Sequence, residues 1–288
     1  MAARSFRRRH APRRRDHDER GADPGARGGA RGARGGARGA AAKTLERYLS
    51  RAGHCSRSEA RELIAAGRVS IAGRIERSTG RWIDAERAEV CVDGKPIRPA
   101  RPLHLLLNKP KDCLTTAHDE QGRRTVYHLL EDVREWVVPV GRLDRDTTGL
   151  LLLTNDTTLA DAVTDPASHL AKTYVVKSTT RLADEQLASL ARGVNLDDGP
   201  TAPAKVRRLR DGDHRTFFEI TITEGRNRQV RRMLEAVGSG VLELRRTAIG
   251  PLRLEGLSLG KYRKLKAAEL QELRSALGAA RAKERKRR

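Results

Sequence analysis

Apolar residues along this chain fall in short groups whose spacing alternates between helical and extended. Leu45, Tyr48 and Leu49 share one helical face, and Gly53 is placed to stop that turn. Ser56-Arg57-Ser58-Glu59 reads as a capping box, in which each side chain accepts from the other residue's free backbone N–H. The helix it opens buries Leu63 and Ile64 and ends at Gly67. Alternation returns in Val69-Ser70-Ile71 and again in Val90-Cys91-Val92, with Asp93-Gly94 as a tight turn. Residues 44–98 therefore read as a small α+β domain, and the prolines within 99–103 as a stiff linker.

A second, larger domain is expected over residues 104–264. Strands are predicted at 105–107, 137–140, 172–176 and 217–222, and helices near 159–163, 182–190 and 229–237. The run Leu150-Leu151-Leu152-Leu153, closed by Thr154-Asn155-Asp156, reads as a buried strand, with a short buried helix left open by pattern alone. Many strands among few helices predict an α+β fold: a large, mostly antiparallel or mixed sheet flanked by helices. Residues 265–288 continue as a helix that dissolves into a basic tail from Lys283 onward, and no internal repeat is visible.

Charge changes the picture. A net charge of +22 and a pI near 10.9 call for a polyanionic partner, nucleic acid before membrane. Aromatic residues make up only 3% of the chain, which argues against single-strand binding on rows of stacking rings. Residues 1–43 hold thirteen Lys/Arg and four Asp/Glu, which is nine of the +22, so the remaining chain is itself basic at +13. Their repeated Arg-Gly units preclude a packed core and predict a disordered tail, either an RNA-phosphate tether or a solubilising segment. Cys55, Cys91 and Cys113 are too few and too scattered for a disulfide framework or a metal site. No apolar run approaches the roughly 18 to 20 residues that span a bilayer. A cytoplasmic, monomeric protein that avoids membranes is the expectation.

Three polar segments flank apolar strands. They are the loop Gly141-Arg142-Leu143-Asp144-Arg145-Asp146-Thr147-Thr148-Gly149, the segment Lys172-Thr173-Tyr174, and Glu224-Gly225-Arg226-Asn227-Arg228-Gln229-Val230-Arg231-Arg232-Met233. A carboxylate at the mouth of a rigid strand is well placed for chemistry, because the scaffold restricts it. Read singly, Asp144 can cap a turn, Tyr174 can be a half-buried strand residue, and the arginines can be a phosphate-binding surface. These readings stand level with a reactive site on the residues alone.

Taken together, the segments resemble the pseudouridine synthases, specifically the branch that modifies ribosomal RNA and carries an N-terminal S-four-type RNA-binding domain. Gly-Arg-Leu-Asp followed by Thr-x-Gly-Leu-Leu-Leu-Leu-Thr-Asn-Asp carries the likeness, with Lys109-Pro110, the Lys172-Thr173-Tyr174 segment and the arginine-rich segment in the same order. Ile249-Gly250-Pro251-Leu252 and Leu259-Gly260-Lys261-Tyr262-Arg263 extend it toward members that act on the large subunit.

The resemblance implies uridine isomerisation by base flipping. Asp144 would be the catalytic acid, Tyr174 the ring stacked on the flipped base, and Arg231 the charge partner of Asp144. Arg142 would fill the gap the nucleotide leaves. Arg145, Arg226, Arg228, Arg232 and Lys109 would contact RNA around the site, and Arg47, Arg51, Arg57, Arg61 and Arg68 would do so from the small domain. The reaction is redox-neutral, so no cofactor is expected.

Two positions depart from the family pattern, Asp112 and Thr157, each standing where glycine is usual. At Thr157 a left-handed turn would be uncomfortable. The rival readings are a non-enzymatic ribosomal-RNA-binding or ribosome-assembly protein on the same fold, and a metal-dependent nuclease using Asp144 and Asp146. The second is the weaker, since no other acidic ligands cluster with them.

Overall fold

The computed structural model describes residues 42–287, apart from 86, 99, 100 and 118. The Arg/Gly-rich tail lies outside the described residues except at its end, where Ala42–Thr44 forms a strand paired antiparallel with Trp82–Asp84. This strand includes Ala42 and Lys43, which the sequence had assigned to the tail.

In the N-terminal part, helices Leu45–Arg51 and Arg57–Ala65 pack together over a four-stranded sheet. The Ser56 capping box is present in both directions: Glu59 N donates to Ser56 Oγ at 3.2 Å and Ser56 N to Glu59 Oε2 at 2.8 Å. Leu45, Leu49, Ile64, Val69, Val90 and Val92 are buried in its core, whereas Leu63 is only partly covered. Asp93 and Gly94 both take positive φ, 50° and 75°, as a two-residue hairpin turn requires.

The larger part is a nine-stranded sheet. Its main path runs Lys205–Asp211, Thr216–Ile222, Lys172–Ser178, Val241–Ile249, Thr147–Thr154, His104–Lys109, Tyr262–Lys264. Every pairing is antiparallel except that of Val241–Ile249 with Thr147–Thr154, where Leu244 lies opposite Thr147 and Arg246 opposite Gly149. This parallel seam divides the sheet into two halves.

The leucine run is a strand, and the helical alternative falls. Leu151 and Leu153 join Leu105, Leu107, Phe218 and Ile220 in one core. Leu150 and Leu152 join Leu106, Leu159, Val163, Leu273 and Leu277 in another on the opposite face. A strand covered on both sides needs apolar residues at every position, which is why no alternation shows. Gly149 has φ +104°, and a Cβ there would stand 2.2 Å from the Arg246 carbonyl oxygen, so glycine is what lets the strands meet at the seam.

Helix Thr157–Thr164 packs on the second core. Asp156 caps it, accepting from Thr158 N and Leu159 N. Thr157 is the first helical residue and takes no left-handed turn, so the expected discomfort there does not arise. Helix Ala267–Arg287 runs on through the basic residues expected to be an irregular tail, in keeping with the helix propensity of Lys, Glu and Arg. Asp156 also faces Arg51 at 3.5 Å and Arg274 at 3.9 Å, joining the N-terminal helices, the sheet and the last helix. Asn155 secures the linker, donating to the Arg101 carbonyl and accepting from Leu103 N.

Candidate active site

A cleft of about 560 Å³ opens at the parallel seam, lined among others by Arg142, Asp144, Lys172, Tyr174, Arg228, Arg231 and Arg246. Its acidic loop is fixed from below by Lys109. That side chain is wholly buried, and its Nζ lies within hydrogen-bond distance of the carbonyls of Pro110 (3.0 Å), Asp144 (3.0 Å), Arg145 (3.2 Å) and Thr147 (2.9 Å). Burial pushes this ammonium below the ordinary lysine range. Lys109 was expected among the RNA contacts. Its ammonium instead holds the loop backbone and has no surface to offer. Thr115, which the sequence did not single out, donates from Oγ1 to the Leu143 carbonyl at 2.8 Å and so fixes the residue before Asp144.

The Asp144 carboxylate is partly exposed, at 36% of its side-chain surface. Oδ2 stands 3.5 Å from Arg228 Nη1 and 3.7 Å from Arg231 Nε. Arg231 is held on helix Gln229–Ala236 with 11% of its side chain exposed, and its Nε is buried without a hydrogen-bond partner. Its charge therefore acts on the carboxylate through space. Arg228, expected as an RNA contact, is a second cation against Asp144. It precedes the helix in a left-handed conformation, φ 47°, which swings its side chain out of the helical course. Tyr174 is 9% exposed and lines the same cleft from strand Lys172–Ser178. Asp146 lies outside the lining and faces Arg145 at 3.5 Å.

The other cations divide. Arg142 is exposed at the cleft. Arg145 faces Asp112 as well as Asp146, and Asp112 holds the left-handed conformation, φ 57°, that glycine would favour. Arg226 donates to the carbonyls of Gly199 (2.9 Å) and Pro200 (2.6 Å) and to Glu224 (3.1 Å). Arg232 forms a two-pronged pair with Asp198 at 2.9 and 3.1 Å and holds that carboxyl below its ordinary range. Arg226 and Arg232 were expected on RNA, yet their donors fasten the Asn195–Pro200 hairpin to the cleft wall. In the N-terminal domain, Arg57 and Arg61 both reach Glu46, Arg68 reaches Asp93, and Arg51 reaches Asp156. Arg57 and Arg61 keep about half their surface in solvent, at 49% and 54%, and Arg47 is exposed. Of the Lys and Arg side chains in the lining, Lys172 and Arg246 had been given no role. Among the described residues no three His, Cys, Asp or Glu side chains converge as a metal site.

The family described as RNA pseudouridylate synthase matches residues 103–236, and the S4 domain matches residues 44–81. A protein of Aquifex aeolicus, named an uncharacterized RNA pseudouridine synthase, is 41% identical over 235 residues, covering 81% of this chain and 94% of the relative. The chain belongs to the RNA pseudouridine synthase family. The ribosomal large subunit pseudouridine synthase B of Bacillus subtilis is 39% identical over 233 residues, 80% of this chain and 95% of its own. A crystal structure of a pseudouridylate synthase superposes with a TM-score of 0.59 at 33% identity, covering 80% of this chain and 99% of that one. As a pseudouridine synthase the protein is an isomerase, with an S4 domain ahead of the catalytic fold. The α+β architecture with its large mixed sheet agrees with that expected from the sequence.

Proposed function

We propose that this pseudouridine synthase isomerises a uridine of large-subunit ribosomal RNA, with Asp144 as its catalytic carboxylate. One observation carries the assignment of the site: a partly open carboxylate flanked by guanidinium groups at 3.5 and 3.7 Å, in a cleft that a tyrosine also lines. The large-subunit target is supported by the relatives named for that activity. The reading divides the chain into a tail over 1–43, an RNA-binding domain over 44–98, a linker over 99–103, the catalytic domain over 104–264 and a final helix over 265–288.

The uridine must leave its stack before an acid held in the cleft can reach it, at a cost of a few kcal/mol. Arg142, at the rim, fills the space left behind, and the Tyr174 ring supports the base. Asp144 then acts on the nucleoside, at the base, at the sugar carbon or at a sugar proton. The N1–C1′ bond breaks, the uracil turns, C5–C1′ forms, the C5 proton leaves to solvent and N1 takes up a proton. Nothing is oxidised or reduced. Arg231 and Arg228 set two guanidinium charges against the carboxylate while RNA covers it, and arginine suits this because it retains its proton when desolvated. The protein works as a monomer, with the exposed arginines of the S4 domain, Arg47 among them, meeting phosphates of structured RNA.

The test uses ribosomal RNA carrying uridine tritiated at carbon-5. Wild type should release tritium and Asp144→Asn should fall to background. Equal release from both would overturn the assignment.

A further inference from the structure

The cleft contains two carboxylates, Asp144 and Glu224, and both already have partners. Asp144 faces Arg228 and Arg231. Glu224 accepts from Gln229 Nε2 at 2.6 Å, Arg226 Nη2 at 3.1 Å and Ala202 N at 3.2 Å. Two other cations in the lining, both at least half-buried, have no acid against them among the described residues. Arg246 is 4% exposed; its Nε donates to the Leu150 carbonyl at 2.8 Å, and its Nη2 is buried with no acceptor. Lys172 is half-buried, and burial first, then the nearby Arg246, lower its proton affinity.

Two desolvated like charges side by side are unfavourable on their own, and one anion between them relieves both. The sheet fixes where that anion would lie. Tyr174 is two residues beyond Lys172 on one strand and pairs with Arg246 on the next, so all three face the same wall. A guanidinium fork beside a compact ammonium is the pairing that suits phosphate. A cleft of about 560 Å³ falls in the range of roughly 300–1,000 Å³ that takes a nucleotide-sized ligand.

We propose that Lys172 and Arg246 form an anion subsite on the Tyr174 wall of the cleft, which holds a phosphodiester of the RNA next to the target uridine. The subsite rests on the RNA-modifying reading of this cleft. Lys172 is thus a positioning residue that acts through the RNA backbone and takes no proton from the base.

The experiment compares full-length wild type, Lys172→Gln and Lys172→Arg on large-subunit ribosomal RNA transcript tritiated at uridine carbon-5. Filter retention across a series of salt concentrations measures binding without turnover. Lys172→Gln should raise KM and Kd about tenfold, the loss of one charge-assisted contact, with kcat within about twofold. Its plot of log affinity against log salt should flatten by about 0.7 to 0.9, one phosphate's worth, and Lys172→Arg should restore the slope. The Gln variant should melt at or above wild type, because it removes an unpaired desolvated cation. Loss of kcat with KM and slope intact would overturn the proposal in favour of proton transfer by Lys172. An unchanged slope, or melting lowered by more than a few degrees, would also overturn it. Absence of tritium release from wild type would sink the functional reading instead, and the binding slopes would still report on the subsite.

Discussion

Lys109 gives its ammonium to four carbonyls of the loop that carries Asp144, with no solvent around it. Replacing it by methionine keeps the apolar stem and strands those carbonyls. We expect Lys109→Met to lower stability by about 3 kcal/mol, measured by denaturant unfolding. Its kcat should drop while RNA affinity and salt slope stay at wild-type values, because the lysine touches no surface. A flattened salt slope in this variant would return Lys109 to the RNA-binding set. The same residue shows where sequence reading stops. A cation facing solvent and one facing carbonyls are written with the same letter, so Lys109, Arg226 and Arg232 all read as RNA contacts. Asp144, Tyr174 and Arg231 were singled out through their motifs, and all three line the cleft. Thr115 and Arg246 were not, since their partners Leu143 and Leu150 lie 28 and 96 residues away along the chain.

At the scale of elements, caps and turns were readable because their signals are local. The Ser56 box, the Asp93-Gly94 hairpin and the leucine strand all formed. Strand Val241–Ile249 was missed: Glu243, Arg245 and Arg246 interrupt its apolar pattern, and Arg246 is buried by the neighbouring strands. Lys205–Asp211 was missed for a related reason, being a charged edge strand with one face open. The two N-terminal helices are tied by Glu46, whose carboxyl is held below its ordinary range by hydrogen bonds from Arg61 and then Arg57. A carboxylate lowered in the folded state stabilises above its unfolded pKa, here near 4.5, and that contribution is lost as pH falls through the folded value. Melting curves from pH 7 to about pH 3 should therefore show wild type losing more stability below about pH 4.5 than Glu46→Gln, with the gap closing in acid. Parallel curves would mean that the two ion pairs contribute nothing.

For the whole molecule, the N-terminal helices, the sheet and the last helix meet at Asp156 through Arg51 and Arg274. The tail adds to this a long-range charge. Deleting residues 1–41 should weaken RNA binding and flatten its salt dependence, since thirteen Lys/Arg lie within 1–43 and all but Lys43 are removed. An unchanged slope would identify the tail as a solubilising segment.

The parallel seam has a consequence for how the enzyme comes into being. Asp144 leaves the ribosome about a hundred residues before Arg246, which pairs with Gly149 where the sheet closes at the seam. Until that later strand is synthesised, the leucine strand has an open edge, and the nascent chain carries the Asp144 carboxylate with no cleft around it. Pairings this distant in the chain are slow to close and expose edges to aggregation. The cleft wall therefore stays incomplete until strand Val241–Ile249 has been made, and closes only when the two halves zip together.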